Sequence, residues 1–203
     1  MLYELTTLSS HILKLSQVIE NAQAYLNHPE TKGRWLGSWT SENGRLGAVR
    51  VLRGFADAGE LSHERTRALF HADPFGASTS ECGIEMESYA GFPFLPPVEP
   101  GVFGKYYEFR TYWLKSGGLT PTIEAWEAAM PERSKRSPLT LNMYALDGAP
   151  RITHIWPWQS LDERIAIRAK SFADGIWPPK GGPEQFYEAT STIWIPTANS
   201  PLR

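Results

Sequence analysis

The chain has 203 residues, of which 41% are hydrophobic and 21% charged, and its 20 basic and 22 acidic side chains leave a net charge of −2. This balance excludes the basic excess of a nucleic-acid binder, and the apolar content removes any need for a disulfide or metal staple. The single cysteine, Cys82, cannot form an intramolecular disulfide and fits a reducing compartment.

No basic segment followed by an apolar run opens the chain, and no stretch approaches the ~18 apolar residues of a membrane helix. A cytoplasmic protein without a membrane span is expected. Tyr3 to Leu8 reads as a strand. Leu15, Val18, Ile19, Ala22 and Leu26 share one helical face. Arg34 to Trp39 begins a second strand, Asn43-Gly44 signals a hairpin, and Leu46 to Phe55 returns. Ser62 to His71 reads as a helix with Ser62 as its cap, closed by Asp73-Pro74. Glu81 to Tyr89 is the next strand. The proline-rich run from Phe92 to Gly101 then reads as an extended linker.

The second half repeats this order. Tyr106 to Leu114 is rich in β-forming aromatics. Thr120 and Pro121 suit the start of a helix whose apolar face is Leu119, Ile123, Trp126 and Met130, with Pro131 ending or kinking it. The run Arg133-Ser134-Lys135-Arg136 reads as a solvated helix end. Leu139 to Leu146 and Arg151 to Trp158 flank the hairpin signal Asp147-Gly148. Ser160-Leu161-Asp162-Glu163 is a capping box, and Leu161, Ile165, Phe172 and the stem of Arg168 read as that helix's buried side. Phe186 to Ile195 is the last strand.

Both halves are β-α-β-β-α-β, the ferredoxin-like split motif. Tyr3-Glu4, Asn43-Gly44 and Asp73-Pro74 each lie 104 positions before Tyr107-Glu108, Asp147-Gly148 and Trp177-Pro178. Glu64-Arg65 matches Glu163-Arg164 at an offset of 99, which implies a longer loop in the first half. The expected fold is α+β: two repeats whose sheets pack together as an intramolecular dimeric α+β barrel. Residues 1–97 form the N-terminal repeat, 98–104 a linker and 105–203 the C-terminal repeat.

Strand alternation selects candidate site residues. Glu108, Arg110 and Tyr112 share one face, as do Ile152, His154, Trp156 and Trp158. Phe109 and Ile155 suit the helix-covered side, which leaves Arg110, Tyr112, His154 and Trp156 to point between the sheets.

Tyr107-Glu108-Phe109-Arg110-Thr111-Tyr112 resembles the opening strand of the NIPSNAP family. His154-Ile155-Trp156-Pro157-Trp158 with Ser160 to Arg164 and Arg168 is similar to it too, as is Arg133 to Leu139. The resemblance implies the dimeric α+β barrel superfamily. Its members resemble proteins linked to vesicle traffic and mitochondrial signalling, mostly as interaction partners. Neighbouring families on the fold include small-molecule monooxygenases and haem-handling enzymes. The first half departs from the motif: Thr6 stands in place of Arg110, Arg50 in place of His154 and Leu52 in place of Trp156.

His154 is the candidate acid or base. Arg110, Tyr112, Tyr144, Trp156, Arg164 and Arg168 are the candidate ligand-binding residues. No metal site is expected, because His11, His28, His63 and His71 lack a second ligand at zinc spacing. The expected function is that of a NIPSNAP-like binding or interaction protein of undefined biochemical activity, with no cofactor. The alternative is a small cofactor-independent enzyme acting on an aromatic or carboxylated metabolite in the inter-sheet cavity. A small anionic or aromatic ligand, a protein partner and a homo-oligomer are the partner classes left open.

Overall fold

The computed structural model describes residues 1–203 and contains eight strands and four α-helices. The first repeat comprises β1 (Leu2–Ser9), α1 (Leu15–Leu26), β2 (Arg34–Ser41), β3 (Ala48–Phe55), α2 (Ala58–Phe70) and β4 (Gly83–Gly91). The second comprises β5 (Tyr106–Leu114), α3 (Leu119–Ser134), β6 (Leu141–Ala145), β7 (Arg151–Trp158), α4 (Leu161–Ala173) and β8 (Phe186–Pro196). Strands run β4-β1-β3-β2 in the first and β8-β5-β7-β6 in the second, the ferredoxin-like order.

The chain folds into two compact units. One holds Met1–Tyr89, Glu99–Val102 and Trp194–Arg203, and the other holds Ala90–Val98 and Phe103–Ile193. In the first, α1 lays Val18, Ala22 and Tyr25 on Leu8, Val49 and Val51. The tail joins this unit: Trp194–Pro196 pairs antiparallel with β2, and Ser200 accepts the Ser38 backbone N–H. In the second, Trp126 and Met130 of α3 pack on Ile152, Trp156 and Trp158 of β7. Phe92, within the segment read as linker, is buried against Trp126 in that cluster.

The helix caps fix how the repeats correspond. Asp57 accepts the Glu60 N–H at 2.9 Å while the Glu60 carboxylate accepts Ala56 N–H at 2.9 Å. Ser160 accepts Glu163 N–H at 3.0 Å and Glu163 accepts Gln159 N–H at 2.6 Å. These capping boxes lie 103 positions apart, so Glu60 matches Glu163, Arg65 matches Arg168, and the offset of 99 is corrected. The match of Glu64-Arg65 to Glu163-Arg164 followed residue identity rather than role, and no longer loop is needed. Likewise α2 starts at Ala58 under Asp57, not at Ser62. Replacing Asp57 with Ala should cost about 1 kcal/mol, read as a shift of the urea midpoint.

Strand β7 matches β3 at the same offset of 103, while β5 matches β1 at 104. Thr6 pairs with Val51 and Arg110 with His154, so Val51, not Arg50, stands in place of His154, and Arg53 in place of Trp156. A one-residue slip moves every side chain to the other face of a strand.

Three further expectations are corrected. Pro131 lies inside α3, which runs one turn further to Ser134. That last turn is held by Ser134, which donates to the Met130 carbonyl at 2.7 Å, and by Arg133, which is 1% exposed over the Trp156 ring rather than solvated. In α4, Leu161, Ile165 and Phe172 are 42%, 60% and 73% exposed, and the helix instead turns Ile167 and Ser171 inward.

Candidate functional site

The antiparallel register of β5, β7 and β6 builds the site. It sets Glu108 opposite Trp156, and Arg110 opposite His154, which in turn faces Asn142. Alternation puts these five side chains on one face of the sheet. That face lies beneath α3 and α4: Trp126 touches His154, and Arg164 reaches Glu108. The expectation that Arg110, Tyr112, His154 and Trp156 point between the sheets is therefore overturned. It rested on Phe109 and Ile155 as the helix-covered pair, but β7 is buried at all eight positions and offers no polar side to read.

Glu108 is the hub. Its carboxylate accepts Arg164 at 2.6 Å, Ser191 at 2.6 Å, Arg110 at 2.7 Å and the Trp158 indole N–H at 3.3 Å. Burial alone would raise its pKa. The Arg164 hydrogen bond, the Arg110 charge and the Ser191 hydroxyl outweigh that and hold it well below the carboxylate range. Arg110 also donates Nε–H to the Tyr112 hydroxyl at 2.8 Å.

Two further arginines stand near this single acid without a carboxylate of their own. Buried Arg133 donates to Ser137 at 2.5 Å and stacks 4.4 Å over Trp156, and desolvation followed by the charge of Arg168 pulls its pKa down to about 10. Arg168 forms no ion pair, and burial and the charge of Arg110 lower its pKa.

The first repeat shows how unusual this is. There Arg53 bridges Glu4 at 2.5 Å and Glu64 at 2.6 Å, Arg65 bonds Glu4 at 2.8 Å and Arg67 bonds Glu64 at 2.8 Å. Arg65 is the counterpart of Arg168. In the second repeat Arg110 and Arg164 stand where Thr6 and Leu61 stand in the first, and they saturate Glu108. That substitution releases Arg168.

The released guanidinium lines a cavity of about 300 Å³ within the second unit. Arg110, Tyr112 and Thr122 complete its polar side. Trp126, Phe172, Trp177 and Phe186 supply aromatic walls, and Pro178, Pro179 and Pro183 close the rest.

Of the residues singled out from sequence, Arg110, Tyr112 and Arg168 line this cavity. His154 lies behind it, 1% exposed, with Tyr112 and Trp126 each 4.8 Å away between rings. Its Nδ1 accepts the Trp156 indole N–H at 2.6 Å, and its Nε2 is buried without a partner. Burial, then the charge of Arg110, pushes its pKa well below the usual value, so the ring is neutral. Trp156 packs under Arg133, Arg164 is committed to Glu108, and Tyr144 packs against Phe92. Sequence reading assigned Trp126 to an apolar helix face alone and passed over Trp177 and Phe186. The Trp177-Pro178-Pro179 run, an aromatic in a rigid loop, was the available signal.

The sequence profile described as NIPSNAP matches residues 3–87 and again 107–201. The chain belongs to the NIPSNAP family. Each of its two repeats is a NIPSNAP segment, including the N-terminal one that lacks the arginine and histidine of the motif. The NipSnap homolog of Dictyostelium discoideum is 24% identical over 151 residues, spanning 73% of this chain and 68% of that protein. An anthrone oxidase-like protein has the same fold at 13% identity, with a TM-score of 0.66 over 98% of this chain and 93% of its own. A Listeria monocytogenes ferredoxin-fold protein related to antibiotic biosynthesis monooxygenases matches at 11% identity and a TM-score of 0.52, over 97% of this NIPSNAP chain and 95% of its own. These likenesses extend the ferredoxin-like α+β fold over both repeats. No helix of the NIPSNAP chain is long and apolar enough to cross a membrane.

Proposed function

We propose that the second repeat binds a small organic anion with an aromatic or otherwise apolar body. The observation that carries this is Arg168, a cation that makes no ion pair of its own at the wall of an aromatic cavity. A desolvated guanidinium gains most from a carboxylate that meets it with two parallel N–H···O bonds. Arg110 adds positive potential beside it, and Trp126, Trp177 and Phe186 offer ring faces and edges for the apolar body. A volume of about 300 Å³ suits a ligand with one ring and a short side chain.

This is a binding role and does not include a proton-transfer step. His154 is separated from the cavity by Tyr112 and Trp126, so it supports the wall rather than meeting the ligand.

The test is a thermal-shift and tryptophan-fluorescence titration with phenylacetate, phenylpropionate and their uncharged amides. The acids should raise the melting temperature and the amides should not. Arg168→Ala should weaken acid binding by about 2 kcal/mol or more, roughly thirty-fold, because it removes the charge that faces the ligand. Stability without ligand should change by less than about 0.5 kcal/mol, since no internal contact of that charge is lost. Equal binding of acids and amides, or unchanged binding by the variant, would sink the proposal.

A further inference from the structure

We infer that the outer face of α4 is a self-association surface, on which two copies of this chain pair α4 against α4 in antiparallel sense. This goes beyond the ligand reading and shares with it only Phe172, which stands both in the cavity wall and at the end of the α4 stripe. Leu161, Ile165, Ala169 and Phe172 are all solvent-exposed, and their spacing of four, four and three residues draws one straight stripe along the helix.

The fold does not demand that stripe. With the capping boxes aligned, α2 of the first repeat carries Ala58, Ser62 and Thr66 where α4 carries Leu161, Ile165 and Ala169, and only Leu69 matches Phe172 in character. Leu161 and Ile165 thus face water as large apolar side chains where α2 carries only Ala58 and Ser62, although α2 too ends on exposed Leu69 and Phe70. Small residues flank the stripe at Ala166 and Ala173, which lets a second helix approach closely.

The charges select the occupant. Asp162 lies near the start of the stripe and Lys170 near its end. A two-fold axis at Ala166 sets Asp162 opposite Lys170 of the partner subunit twice over, the self-complementary pattern of an isologous contact. Antiparallel pairing also sets the positive end of one helix dipole against the negative end of the other. An anionic lipid surface fits poorly, because Asp162 and Glu163 occupy the first turn. A helix of 13 residues is about 20 Å long. Two of them bury less than the ~800 Å² per partner of a standard interface, so the dimer is weak and reversible.

Sedimentation velocity over a wide concentration range tests this. The weight-average mass should rise from 22.8 kDa toward twice that value. Ile165→Glu should weaken association at least about tenfold, because it buries a charge in the apolar stripe. Asp162→Lys should weaken it less, and adding Lys170→Asp to the same chain should restore it. All substituted positions are exposed, and circular dichroism melts should shift only by the small contribution of the exposed Lys170–Asp174 pair at 3.3 Å, which Lys170→Asp removes. A monomer at every concentration, or a dimer indifferent to both Ile165→Glu and the charge reversal, overturns the inference. So does binding to anionic vesicles by a protein that stays monomeric.

Discussion

Glu108→Gln should destabilise the protein by about 3–5 kcal/mol, because it leaves the half-buried Arg110 and Arg164 beside an uncharged amide. Glutamine keeps the size of the side chain, but its single amide oxygen can accept from only one of Ser191 and Trp158, so the loss combines the charge with one of these hydrogen bonds. In a chain of this length it corresponds to a fall in melting temperature of roughly 10 °C. The pH dependence has a definite sign. The Glu108 carboxyl is held below its ordinary value of 4.5, so its stabilisation is complete above that pH and is lost as pH falls below it. His154, held below its ordinary value of 6.5, acts in the same direction at higher pH: the unfolded ring takes a proton there and the folded ring does not. Wild-type stability should decline from pH ~6.5 and more steeply below ~4.5, and Glu108→Gln should flatten the lower part. Urea midpoints measured from pH 3 to 8 check this. A variant as stable as wild type at neutral pH would mean that these arginines tolerate the loss of their acid.

Trp126→Ala should cost about 3–5 kcal/mol. Trp126 is 2% exposed and meets Phe92, His154, Trp156 and Trp177, with ring centres between 4.6 and 6.3 Å away. Its removal also takes away the partition between the ligand cavity and His154. Two readouts follow, the second of which a simple packing defect does not give. Indole should restore part of the lost melting temperature by filling the vacated volume. The His154 ring should regain contact with water, so its pKa should move back up toward the ordinary value, visible as a titrating imidazole resonance in NMR. A ring that stays untitratable in Trp126→Ala would show that some other group seals it.

The repeat architecture was legible because its signals are local. Asn43-Gly44 and Asp147-Gly148 need positive φ at glycine, and both glycines have it, at 79° and 65°. The Ser160 capping box was equally plain, since it depends on two residues three apart. The inward faces of α1 and α3 were legible too, but the facing of β5, β7 and α4 was not. β7 is buried throughout, so alternation of apolar and polar residues carried no orientation. The apolar stripe of α4 suggested a buried side, yet the helix turns arginines inward, because Glu108 beneath it demands cations. Arg110, Tyr112 and Arg168 were identified by residue type. Trp177 and Phe186 were not, because loop residues acquire a common wall only once the chain has closed on itself.

The passage of the chain between its units bears on synthesis. Residues 1–89 leave the ribosome first, but the unit they belong to also contains Trp194–Arg203. Trp39–Ser41 has no partner strand from β8 until residues 194–196 emerge, and the buried Ser200 and Leu202 come later still. The part made first is therefore completed last. During translation β2 carries an unsatisfied edge until Trp194–Pro196 emerge, a state open to pairing with neighbouring nascent chains. A chain cut before Trp194 would leave that edge permanently bare.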